Sequence, residues 1–120
     1  MRAEAPWIGI DIVAESELIE LSRNDAALKR VFTAREIDDC VNRGQDATTA
    51  LARRFAAKEA LMKACRRVED APSKIEIVHD EGGAPSVRWD FLEANGLTAQ
   101  ISLSSTASLA VAVALVQPSR

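Results

Sequence analysis

Tyrosine is absent from these 120 residues, histidine occurs once and cysteine twice. One imidazole, His79, and two thiols far apart in the chain, Cys40 and Cys65, do not supply the three or four ligands that a zinc centre takes. Aromatic residues are also scarce, three Phe and two Trp, which argues against a stacking platform for single-stranded nucleic acid. Charge points the same way. Fifteen Lys and Arg against 18 Asp and Glu leave a formal net charge of -3, without the basic excess of a nucleic-acid binder. A local basic face stays open. No stretch approaches the roughly 18 consecutive apolar residues of a membrane span. A Gly-rich phosphate loop and a serine nucleophile elbow are both missing, as are internal repeats, low-complexity segments and linkers. The chain does not open on a charged stretch followed by an apolar run and a cleavage site, so the expected location is a reducing cytoplasm with both thiols free.

What is present is an ordinary globular composition, 48% hydrophobic and 28% charged, sized for one domain spanning residues 1–120. A chain this short buries only about 60–70% of the surface its unfolded form exposes. Association with further copies would enlarge the core. Ala, Val, Leu and Ile must build that core, which suits close packing of a helix on a sheet.

Trp7 to Val13 reads as a buried strand, with Ile8, Ile10 and Ile12 alternating onto one face and Gly9, Asp11 and Val13 onto the other. A helix from about Glu15 to Arg23 follows, broken at Asn24-Asp25, then a short helical turn to Val31. Thr33-Ala34-Arg35-Glu36 is a capping box, so a helix starts at Thr33 and stops near Gly44. Asp46 is placed to cap the longest helix, which runs to about Cys65 through strong helix formers without Gly or Pro. After Pro72-Ser73, Lys74 to Asp80 and Pro85 to Trp89 form a hairpin across Glu81-Gly82-Gly83. Asp90 to Gly96 is a connector with room for one helical turn. Thr98 to Ser104 alternates, and Ser108 to Val116 is aliphatic enough for a strand covered on both faces. The fold class is therefore α+β, an antiparallel sheet packed on one long helix.

Within that helix Ala52, Ala56, Glu59 and Lys63 share one face, and small residues there let a neighbour approach closely. Taken alone, Glu59 and Lys63 are an exposed i,i+4 ion pair, and Arg54 with Lys58 a solvated basic face. Like charges four residues apart repel unless an anion lies between them. Asp11 is a carboxylate in an apolar strand and loses water unless it finds a partner. Two partners are open: backbone N–H groups at the start of the next helix, or a cation. A hard cation such as Mg²⁺ takes one or two carboxylates and completes its shell with phosphate and water; Asp11 with Glu59 would be that pair, with Arg54, Lys58 and Lys63 holding phosphate charge around it. His79 reads as exposed, and Cys40 and Cys65 as small buried apolar residues. Ser102, Ser104, Ser105 and Thr106 form a hydroxyl cluster before the last strand, by strand alternation or as donors to a ligand.

In this order, GIDIV (Gly9 to Val13), FTAREIDDC (Phe32 to Cys40), RRFAAKEALMKA (Arg53 to Ala64), IEIVHDEGGAPSV (Ile75 to Val87) and ISLSSTASLAVAVALV at the end resemble the holo-acyl-carrier-protein synthases, the small 4′-phosphopantetheinyl transferases. The resemblance covers nearly the whole chain. It implies transfer of the phosphopantetheine arm of coenzyme A to a serine of an acyl carrier protein, leaving adenosine 3′,5′-bisphosphate. By position, it implies that Asp11 and Glu59 ligate Mg²⁺ and that Lys63 contacts the phosphates or assists deprotonation of the serine. It further implies that Arg54 and the strand carrying Ser104 and Ser105 reach the nucleotide phosphates, while Pro85 lies against the adenine. Small members of the family are trimers whose active sites lie between subunits, one giving the Asp and Glu and its neighbour the serine strand. This chain departs in reading Ser104-Ser105-Thr106 where the family has Ser-His-Thr, in lacking a Gly-Thr-Gly stretch after the long helix, and in its short connector. Two other classes stay open: a homologue that binds carrier protein or coenzyme A without transfer, and a small assembly protein that uses Asp11, Glu59 and Lys63 as caps and ion pairs. Retention of all three residues together favours the enzyme.

Overall fold

The computed structural model describes residues 5–120, apart from the Gln45 side chain. In chain order the elements are β1 (Trp7–Ala14), α1 (Glu15–Ser22), α2 (Asp25–Val31), α3 (Ala34–Val41), α4 (Ala47–Cys65), β2 (Glu76–His79), β3 (Pro85–Arg88), α5 (Asp90–Ala94), β4 (Leu97–Ser105) and β5 (Leu109–Pro118). One sheet runs β1-β5-β4, antiparallel throughout, and β2 with β3 makes a separate two-stranded hairpin. The α+β class with a long helix on an antiparallel sheet is what the sequence predicts.

α4 is the organising element. Its 19 residues span about 28 Å at 1.5 Å per residue. Ala56, Ala60 and Ala64 are wholly buried against the sheet, which answers with Ala110, Ala112 and Ala114 from β5. Methyl against methyl brings the two layers unusually close. Gly9 in β1 completes that approach: a Cβ there would lie 2.0 Å from the Ala60 carbonyl oxygen and 2.8 Å from the Ala64 nitrogen. The glycine face of β1 therefore must turn to α4. Alternation then sends Ile8, Ile10 and Ile12 to the other side, where they are 68%, 56% and 63% exposed. This corrects the reading of Trp7 to Val13 as a buried strand. β5 is likewise covered on one face only, because Val111, Val113 and Leu115 stand opposite Ile12, Ile10 and Ile8 on that same outer surface.

The capping box forms as the spacing requires: the Thr33 hydroxyl accepts from Glu36 N at 3.2 Å, and Glu36 Oε1 accepts from Thr33 N at 2.9 Å. Asp46 occupies the cap position of α4 but makes no side-chain capping hydrogen bond; the Gly44–Asp46 3-10 turn leads the chain in instead. Pro72–Lys74 is also a 3-10 turn, so β2 begins two residues later than expected. α4 ends on Arg66, whose φ of 52° puts it in the left-handed region, the place where glycine is usually found.

Candidate active site

Asp11 lies mid-strand in β1 on the face turned to α4, where Gly9 two residues earlier has let the layers close. Its carboxylate accepts from Lys63 Nζ at 2.6 Å, and the same ammonium donates to the Ile10 carbonyl at 3.1 Å. Asp11 does not cap the next helix. Glu17 Oε2 accepts from Ala14 N at 3.0 Å there, and Glu15 N donates to the Ser108 carbonyl at 2.8 Å. The Glu59 to Lys63 pair suggested by their spacing does not form either, since Lys63 reaches across to the strand.

Glu59 is left half-buried beside that pair. Burial pushes its carboxyl above the usual range, the negative charge of Asp11 pushes further, Lys63 opposes, and Glu17 adds to the rise. Two carboxylates that repel in a partly desolvated corner are what a divalent cation relieves, so the donor chemistry fits Mg²⁺. Among the described residues no group of three or more His, Cys, Asp or Glu side chains could hold a metal. Among the described residues Asp11 and Glu59 would hold such an ion, with phosphate and water as its other partners. Beside them a cleft of about 480 Å³ runs along the end of α4, lined by Glu59, Met62, Lys63, Arg66, Arg67 and Val68 among others.

A second cluster forms at the other end of α4. Arg53 donates from Nη1 to Ser105 Oγ at 2.8 Å, tying the helix to the end of β4. Arg54 is buried: its Nε donates to the Ile77 carbonyl at 3.3 Å, Nη1 to Cys40 Sγ, and Nη2 lies 3.1 Å from His79 Nδ1. A guanidinium has only donors. His79 Nδ1 must therefore accept, which leaves the imidazole neutral with its proton on Nε2. Burial lowers the histidine's affinity for a proton, and Arg54, Arg43 and Arg53 lower it further against Asp39. His79 is thus half-buried within a cationic corner, not exposed as the sequence suggests. Pro85 pairs with it across the hairpin, and Ser104 is exposed on the outer sheet face.

Lys58 needs the larger correction. Its ammonium is fully buried, 2.6 Å from Glu36 Oε1 and 2.6 Å from the Val31 carbonyl, with the Phe32 ring centroid at 4.9 Å. It belongs to no solvated basic face and, fully buried, it is out of a phosphate's reach. Burial lowers its pKa while Glu36 resists. The physical reason lies 22 residues away: Glu36 is also fully buried and accepts from Thr33 N, Lys58 Nζ and Ile77 N. Arg54 likewise leaves the basic face for the interior.

Of the expected site residues, one chain gathers Asp11, Glu59 and Lys63. It places Arg54, Pro85 and Ser105 in a second corner, Arg54 standing about 8 Å from Glu59 and about 14 Å from Lys63 along α4 at 1.5 Å per residue. Arg53 was not legible as a site residue, because its partner lies 52 residues away; the run Arg53-Arg54 was the only signal. The buried role of Glu36 was also missed, although the capping box had marked the residue.

Residues 8–114 match the family model of the 4′-phosphopantetheinyl transferase superfamily. A holo-[acyl-carrier-protein] synthase of Myxococcus xanthus is 36% identical over 118 residues, covering 92% of this chain and 93% of that protein. Its counterpart from Chlorobaculum parvum is 38% identical over 118 residues, covering 92% of this chain and 97% of its own. Among solved structures, the holo-(acyl-carrier-protein) synthase of Bacillus anthracis in complex with CoA (3′,5′-ADP) superposes with a TM-score of 0.82 at 28% identity. That match covers 98% of this chain and 100% of the other. The chain belongs to the 4′-phosphopantetheinyl transferase superfamily, and it is a transferase of that class.

Proposed function

We propose that the protein transfers the 4′-phosphopantetheine arm of coenzyme A to a serine of an acyl carrier protein, with Mg²⁺ at Asp11 and Glu59 and with release of adenosine 3′,5′-bisphosphate. The observation that carries this reading is the meeting of Asp11 from β1 with Glu59 and Lys63 from α4, beside a cleft open to a substrate. The serine oxygen forms its bond to the β-phosphorus as the bond from that phosphorus to the bridging oxygen breaks, and the nucleotide bisphosphate leaves with the electron pair. A bound Mg²⁺ supplies charge neutralisation on the diphosphate oxygens. Asp11 and Glu59 would hold that ion, and Lys63 contacts the phosphates or, by its positive charge, assists the serine in losing its proton to water. Arg53 with Ser105 faces the nucleotide phosphates; Arg54 acts there through His79, next to Pro85. A protein that only docked the carrier would have no use for two carboxylates brought close at an energetic cost.

The same reading makes the working form a homotrimer. One chain leaves three exposed isoleucines in register with Val111, Val113 and Leu115, an apolar face of the kind that marks an interface. It also leaves the serine strand apart from the carboxylates, as a site shared between neighbours requires. We further read residues 1–120 as one domain acting in the cytoplasm; no helix of the described residues is long and apolar enough to cross a membrane.

Incubation with a panel of apo carrier proteins, coenzyme A and Mg²⁺, read by intact mass, tests the proposal. A gain of one phosphopantetheine on the carrier serine is expected. No gain on any carrier, from a sample that binds coenzyme A, would leave the binding-only homologue standing.

A further inference from the structure

Three cations border the cleft at the end of α4, and two are already engaged. Lys63 is paired with Asp11 at 2.6 Å; Arg67 lies 3.3 Å from Glu69 and stacks over the Phe91 ring at 4.6 Å. Arg66 is exposed, lines the same cleft, and has no acidic partner among the described residues. It also holds a left-handed backbone conformation, φ 52°, that is strained for a residue with a side chain and free of strain for glycine. Strain kept at a position next to Glu59 and Lys63 points to a use for the side chain. Met62, Val68 and Pro72 give the cleft an apolar wall beyond these charges.

We infer that Arg66 is a substrate-binding residue that contacts the phosphate bearing the pantetheine arm, with the arm running along Met62, Val68 and Pro72. This rests on the transferase reading above and deepens it. A phosphate leaving the carboxylate pair along the cleft meets Arg66 next, and a guanidinium can hold two of its oxygens at once. A bare helix-end cation, interacting only with the last carbonyls of α4, is the competing explanation.

The two separate cleanly in Arg66→Gly, which relieves the backbone instead of threatening the fold. The expected result is a Tm raised by about 3 °C or more, a KM for coenzyme A raised about tenfold, as loss of one charge-assisted contact requires, and a kcat lowered as well, because the phosphate Arg66 holds is the one the serine attacks. Binding of adenosine 3′,5′-bisphosphate, which lacks the arm and its phosphate, stays within about twofold of wild type. Arg66→Lys recovers part of the KM. If Arg66→Gly lowers the Tm and leaves the KM unchanged, Arg66 is a helix-end cation and the inference is wrong while the transferase reading stands. Equal weakening of coenzyme A and the bisphosphate would overturn it too, by placing Arg66 at the nucleotide. A wild-type protein that fails to bind coenzyme A at all ends both.

Discussion

Gly9 meets Ala60 across a gap that admits no methyl, and Asp11 reaches the helix only because Gly9 lets the strand in. Gly9→Ala is expected to destabilise the protein by about 2–3 kcal/mol, since backbone on both sides must yield, and to lower activity further by moving Asp11; urea unfolding and the transfer assay read the two effects. Asp11→Ala and Glu59→Ala should abolish transfer with the fold intact, each removing a proposed metal ligand without adding bulk. Near wild-type rates at saturating Mg²⁺ and coenzyme A would refute the assignment. Glu59 adds a pH signature. Burial and the Asp11 charge keep a proton on the carboxyl to higher pH than usual, and below that titration Mg²⁺ binding competes with the proton. Apparent Mg²⁺ affinity should rise with pH through the Glu59 titration, and Glu59→Gln should flatten the profile.

Among the described residues one fully buried ion pair, Lys58 with Glu36, ties elements together. Glu36 of α3 binds Lys58 of α4 and the Ile77 amide of β2 at once, so three elements share one carboxylate. Lys58→Met leaves that carboxylate without its cation and should cost about 3–5 kcal/mol. Glu36→Gln with Lys58→Met should cost clearly less than the sum of the single changes. A double-mutant cycle by urea unfolding measures it. The hairpin is latched to α4 by His79 accepting from Arg54. The folded protein binds the His79 proton more weakly than the unfolded chain does. This contribution to stability is therefore complete above the usual histidine value of 6.5, and it is lost as pH falls below that value toward the depressed one. His79→Gln should remove this part of the acid sensitivity, seen as a smaller drop in Tm between neutral and mildly acidic buffer.

At the scale of the whole molecule the outer sheet face is where the proposed trimer would close. Ile8, Ile10 and Ile12 beside Val111, Val113 and Leu115 form an apolar surface that water would cover in a lone chain. Ile10→Glu puts a charge at its centre and is expected to convert a trimer to monomer by light scattering, with transfer lost although each chain still folds. A wild-type sample that is monomeric and fully active would remove the shared-site model.

Local pattern was enough for most of the elements. The Thr33 to Glu36 box, the unbroken helix formers to Cys65 and the Gly82-Gly83 turn act within a few residues, so their chemistry is written in their spacing. Asp11 and Lys63 lie 52 residues apart, so their donor chemistry only offered the site with Glu59, and the resemblance of the two motifs to the transferases is what joined them. Long-range contacts were not legible. Alternation alone cannot say which face of β1 is buried, and the isoleucines pointed the wrong way; the gap at Gly9 against Ala60 settles it. Arg54 and Lys58 look like a solvated basic face until Glu36, Cys40 and His79 arrive from elsewhere in the chain. Burying a charge depends on partners distant in sequence, and packing is what brings them together.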